Sequence, residues 1–108
     1  MGWKKIESED DLSALDKRSY EVPQLIFKHS TRCGISNMAL DRMQRAQQPS
    51  NLEIHYLDLL KFRPISNKIA TDYCVHHESP QVLLIQNGHC VYHASHSEIN
   101  METVLGKL

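Results

Sequence analysis

Short apolar runs alternate with stretches of helical spacing along this chain, and that alternation narrows the fold more than any single residue does. Gln24 to His29 carries the run Leu25-Ile26-Phe27, which reads as a strand buried on both faces. From Gly34 to about Gln47, Ile35, Met38, Ala39, Met43 and Ala46 fall at helical spacing, and Pro49-Ser50-Asn51 breaks that helix. Leu52 to Leu59 is a second strand. A third helix follows, with Pro64 in its first turn and Ile65, Ile69 and Tyr73 on one face. Pro80 opens a third strand, Gln81 to Gln86, and Asn87-Gly88 predicts a type I′ hairpin into His89 to Ser95. Asn100 caps a last helix whose apolar positions are Met101, Val104, Leu105 and Leu108. Ahead of all this stand a short edge strand, Trp3 to Ile6, and a helix that starts in the capping box Ser8-Glu9-Asp10-Asp11. Leu12 and Leu15 form its apolar stripe, and Pro23 forbids its continuation. Strands that alternate with helices demand parallel pairing by right-handed crossovers, and the late hairpin adds an antiparallel edge. The expected architecture is a three-layer α/β/α sandwich on a mixed sheet with an N-terminal βα extension, the thioredoxin-like layout, as one domain over residues 1–108.

Composition fits that size. With 41 % hydrophobic and 23 % charged residues in 108, the chain can bury a core without disulfide staples. A net charge of −1 gives no bulk attraction to nucleic acid or to an anionic membrane. No apolar segment approaches the roughly 20 residues that span a bilayer. The start of the chain lacks both an apolar signal segment and a myristoylation pattern after Gly2. Three cysteines, an odd number, suggest a reducing compartment, so the expected location is cytoplasmic.

Where the first long strand ends, Lys28-His29-Ser30-Thr31-Arg32 leads into Cys33. A thiol there opens a helix, where free N–H groups and the helix dipole stabilise an anion, and Arg32 adds positive charge. Both effects favour the thiolate, which is the nucleophile in disulfide exchange. Ser36, three residues on, cannot resolve a mixed disulfide, but its hydroxyl can donate to a thiolate. The product must then wait for an outside thiol. Arg32 or Lys28 is positioned to pair with an anionic substrate handle, and Thr31 to offer a hydroxyl. His29 reads as a packed, hydrogen-bonded side chain rather than a proton shuttle. Cys74 and Cys90 read as small packed residues. Seven histidines invite a metal reading, yet neither Cys74-Val75-His76-His77 nor the run from His89 to His96 has the spacing of a structural zinc site, so no metal is expected.

Lys28 to Ser36, together with His77-Glu78-Ser79-Pro80-Gln81 about 45 residues on, resembles the YtxJ-like monothiol bacilliredoxins of the bacillithiol system. The resemblance covers nearly the whole chain. It implies a thioredoxin-like protein that removes bacillithiol from S-thiolated cytosolic proteins and takes that thiol onto its own cysteine, with no bound cofactor. Bacillithiol is then the co-substrate, and its reductase system a partner. On this resemblance Cys33 is the nucleophile, Ser36 stands where a dithiol enzyme has its resolving cysteine, and Pro80 is a cis-proline preceded by Ser79. Thr31, Arg32, Gly34, Ser79 and Pro80 are then expected to bind substrate. Gly34 departs from relatives with proline there, which makes Cys33-Gly34-Ile35-Ser36 similar also to the Cys-Gly-Phe-Ser of monothiol glutaredoxins. Two other readings follow: a [2Fe–2S] cluster carrier of that kind, or a redox-sensing adaptor without turnover.

Overall fold

A computed structural model describes residues 3–108; Met1 and Gly2, part of the targeting reading, lie outside them. The element order is β1 (Lys4–Lys5), α1 (Glu9–Arg18), β2 (Gln24–His29), α2 (Gly34–Arg45), β3 (Glu53–Asp58), α3 (Arg63–Asp72), β4 (Gln81–Gln86), β5 (His89–Ser95), a 3-10 turn (His96–Glu98) and α4 (Met101–Leu105). The strands form one sheet in the order β1-β3-β2-β4-β5. β3 runs parallel to β1 and β2, and β4 runs antiparallel to β2 and β5.

Both faces of the central strands are covered. Leu25 and Phe27 of β2, with Val82 and Leu84 of β4, pack on Ala39 and Met43 of α2 and on Met101 and Val104 of α4. The alternate residues Ile26, Leu83 and Ile85 meet Leu12 and Leu15 of α1 and Ile65 and Ile69 of α3. The result is the three-layer sandwich expected from the element order.

Local signals behave as their chemistry requires. Ser8 Oγ accepts the Asp11 N–H at 3.1 Å, while the Asp11 carboxylate accepts the Glu7 N–H at 2.9 Å. Asn87 and Gly88 both have positive φ, 53° and 77°, as the tight hairpin turn demands. The edge strand is shorter than Trp3 to Ile6: only Lys4 and Lys5 are in it, both exposed.

Two apolar stripes differ from the sequence reading. Ile35 and Met38 are 57 % and 67 % exposed, because the first turns of α2 present that side to solvent while Ala39 and Met43 face the sheet. Leu105 and Leu108 are also exposed, since α4 ends at Leu105 with Gly106 as its C-cap. No helix of the described residues is long and apolar enough to cross a membrane.

Candidate active site

Strand order decides what meets what. The β2/β4 register pairs Lys28 with Gln81, so the end of β2 that leads to Cys33 meets the start of β4 just after Ser79-Pro80. Two segments distant in sequence thus share one end of the sheet. The Ser79–Pro80 peptide bond is cis, as the resemblance implied. Pro80 is buried and its carbonyl accepts the His96 N–H at 3.1 Å. Ser79 Oγ is buried without a hydrogen-bond partner, the one such side-chain atom among the described residues.

Cys33 is the N-cap of α2, half-buried, with extended backbone (φ −109°, ψ 121°), and its carbonyl accepts the Asn37 N–H at 3.0 Å. Its sulfur makes no capping bond. Gly34, Thr31 and Arg32 are exposed around it. A β-carbon built on Gly34 would meet nothing within 4 Å, so the approach past this residue is open. Thr31 and Arg32 line a shallow groove of about 440 Å³ with Asp58, Leu60 and Lys61. Lys61 escaped the sequence reading because it lies in the β3–α3 loop, which only the parallel β2/β3 pairing brings alongside.

Ser36 is fully buried, and its hydroxyl is engaged below the surface. Ser36 Oγ accepts the Ser30 N–H at 3.0 Å and lies 2.6 Å from His29 Nδ1. His29, 2 % exposed, packs its ring 5.5 Å from that of Tyr56 and 6.1 Å from that of Phe27. Burial pushes its pKa below the ordinary imidazole value, against the opposing pull of Asp58 and of the Asn37 side chain. The packed reading of His29 agrees with this geometry.

Lys28 is a correction. Strand alternation turns it to the α3 side, away from the groove, and it is wholly buried. Its Nζ donates to the Ser66 carbonyl at 3.1 Å and lies 3.3 Å from His77 Nδ1. Burial, with repulsion from Arg63, lowers its pKa to about 8. An enclosed ammonium cannot reach a substrate, so of the two cations read as handles only Arg32 stays available.

Cys74 is a second correction. It is exposed at positive φ, 56°, just past the end of α3, where the chain reverses instead of packing. Cys90 is half-buried against the core under α1 and α3, with burial raising its pKa. All three thiols are free. Among the described residues no three His, Cys, Asp or Glu side chains are grouped to hold a metal ion.

A cysteine at the helix start after the central strand, at the same end of a mixed sheet as a cis-proline, defines a thiol oxidoreductase of the thioredoxin fold. Comparison places it further: residues 4–104 match the monothiol bacilliredoxin BrxC family, and the chain belongs to that family. It is similar to a solved structure described as a candidate oxidoreductase with a thioredoxin fold, at 27 % identity and a TM-score of 0.87, over 98 % of this chain and 93 % of that one. The thioredoxins of Fasciola hepatica (18 % identity, TM-score 0.70, 96 % of this chain and 93 % of that) and Malassezia sympodialis (14 %, 0.73, 96 % and 86 %) share the fold. The family implies a low-molecular-weight thiol as substrate and thiol-modified proteins as the molecules acted on.

Proposed function

We propose that this protein is a cytoplasmic de-bacillithiolating enzyme that works through Cys33 alone. The observation that carries the reading is the pairing of Cys33 at the exposed start of α2 with a buried serine at the position a resolving thiol would need. The Cys33 thiolate attacks the bacillithiol sulfur of a protein mixed disulfide. A Cys33–bacillithiol disulfide forms, and the protein leaves as its thiolate. The thiolate of a second bacillithiol then attacks the bacillithiol sulfur on Cys33. That step releases bacillithiol disulfide, restores the Cys33 thiolate and leaves the disulfide for a separate reductase.

Several features support the reading. Arg32 and Lys61 place two cations against the single carboxylate of Asp58, and Thr31 a hydroxyl, along the groove next to the segment that leads into Cys33, which suits a carboxylate-bearing thiol. The open face at Gly34 leaves room beside the thiol, and the buried Ser79 hydroxyl holds unused hydrogen-bonding capacity at the same end of the sheet. In this reading Thr31, Arg32, Gly34, Ser79 and Pro80 contact substrate.

Exposing the reduced protein to bacillithiol disulfide and weighing it intact tests the proposal. One bacillithiol adduct on Cys33 is expected, absent from Cys33→Ser and removed by added bacillithiol. No adduct on Cys33, or an adduct confined to Cys74, would overturn it. Catalytic release of a bacillithiolated protein thiol separates the enzyme from an adaptor without turnover.

A further inference from the structure

His77 stands between two cations. Its ring joins the segment that carries Pro80 to two other elements: Lys28 Nζ of β2 lies 3.3 Å from Nδ1, and Arg63 Nη1 of α3 lies 3.3 Å from Nε2. A third neighbour, Ser66 Oγ of α3, is 3.3 Å from Nδ1. An ammonium and a guanidinium only donate hydrogen bonds. A neutral imidazole suits them, since it offers a lone pair to one cation, and Ser66 Oγ is at hand to take the hydrogen when Nδ1 carries it. An imidazolium does not. It has no lone pair for either cation, and it adds a third positive charge at a distance where like charges repel. No carboxylate offsets that charge. Neither Lys28 nor Arg63 forms an ion pair among the described residues. Glu78, the acid next to His77 in the chain, is held by the Ser95 side chain, with His96, His76 and His93 around it.

We propose that His77 is an acid-released latch on the segment that carries Pro80. While its ring is neutral it ties residues 76–80 to β2 and α3; once the ring takes a proton, the two cations drive it out. The side chain is half-buried and so has a short path to solvent. The charged groups that face it are Lys28 from β2, Arg63 from α3, and His76 and Glu78 from its own segment, and only Glu78 favours the proton. Burial and the two cations accordingly hold the ring's pKa below the ordinary imidazole value. Lys28, with a pKa of about 8, stays charged through the range in which His77 titrates. The released ring regains the ordinary value of about 6.5. Below that value the released form binds a proton that the held form does not, so acid favours release. Pro80 follows the segment: its carbonyl accepts the His96 N–H at 3.1 Å, and the Glu78 N–H reaches Gln81 Oε1 at 3.4 Å. None of these contacts includes Cys33, so the latch is independent of the thiol that Cys33 carries.

Two measurements between pH 5 and 8 test this: NMR titration of the His77 ring, and hydrogen exchange at the Glu78 and His96 amides, corrected for the intrinsic pH dependence of exchange. In the wild type the ring should titrate below about 6.5. Opening at both amides should rise by up to about tenfold for each pH unit under that value. His77→Phe keeps a ring and loses the proton, so it should lose that rise. Lys28→Met and Arg63→Gln each remove one cation, and each should move the midpoint of the ring upward and flatten the rise. A wild-type ring that titrates at or above its ordinary value would overturn the latch. So would an exchange profile that His77→Phe reproduces, or a midpoint that neither Lys28→Met nor Arg63→Gln moves. That last comparison decides the matter even where His77→Phe does not fold.

Discussion

Lys28 Nζ lies 3.1 Å from the Ser66 carbonyl oxygen inside the layer between β2 and α3, a buried ammonium whose neighbours are neutral or positive. Among the described residues no carboxylate pairs with it. Its pKa in the folded chain, about 8, is below the value of about 10.4 in an unfolded one. Between those values the unfolded chain holds the proton and the folded chain does not, so stability rises with pH across the window. Lys28→Met keeps the volume and removes the charge. It should flatten that rise and gain on the order of 1–3 kcal/mol at pH 7. Urea unfolding from pH 7 to 10.5 checks this, and parallel curves for the two proteins would refute it.

At the other end of the sheet, His55 and Glu53 set the response to acid. Burial, with Lys4 nearby, holds His55 to about 4, and its Nε2 is 2.6 Å from Gln24 Oε1. Arg18 and Gln24 hydrogen-bond Glu53 and hold it to about 2. Both values lie below those of the unfolded chain. The stability tied to His55 is therefore lost as pH falls from about 6.5 to 4, and that tied to Glu53 as it falls from about 4.5 to 2. Denaturation midpoints should drop in that sequence. Glu53→Gln should weaken only the lower part; an unchanged profile in that variant would exclude the assignment.

Gly34 is a glycine that its backbone does not require. It occupies the first position of α2, where an N–H has no helical partner, and Cys33 before it already has the extended conformation favoured ahead of proline. Gly34→Pro should stabilise by about 0.4–1 kcal/mol through the unfolded chain. A thermal melt decides; a lower melting temperature would show that the added ring meets something in the folded state.

Ile35 and Met38 expose apolar surface one helical turn apart, immediately after Cys33. Changing either to glutamate should alter stability by less than about 0.5 kcal/mol. The reaction of Cys33 with a protein mixed disulfide should slow several-fold, while that with bacillithiol disulfide keeps its rate. Equal slowing of both reactions would argue against a role for these side chains in meeting protein substrates.

The long elements were readable because their chemistry is local. A strand such as Leu25-Ile26-Phe27 stays apolar on both faces whatever surrounds it, and Asn87-Gly88 names its own turn. Cys33 stood out for a similar reason, at the junction of a strand and a helix, whereas Ser79-Pro80 was marked only by the family resemblance. What could not be read was direction. Helical spacing groups Ile35 and Met38 with Ala39 and Met43, but only the path of α2 across the sheet shows which pair is covered. The same limit hid the inward turn of Lys28 and the engagement of Ser36 by His29. Both depend on contacts between side chains whose facing is set by tertiary packing.

The doubly covered sheet has a further consequence for how the chain finds its pairing. In a sheet with one wet face, sliding a strand by one residue drives its apolar side into water. β4 has no wet face: Val82 and Leu84 serve one core, Leu83 and Ile85 the other, and a slip would only trade them. Hydrophobicity therefore gives little protection against an offset of about 3.3 Å, enough to carry Pro80 out of line with the end of β2. Polar residues at the strand ends supply the missing ruler. Gln81 Nε2 donates to the His76 carbonyl at 3.0 Å, the Asn87 N–H donates to the Ser19 carbonyl at 2.9 Å, and the Gly88 N–H donates to Ser19 Oγ at 2.9 Å. The alignment of Pro80 with the end of β2 is thus kept by a few hydrogen bonds at the two ends of one strand.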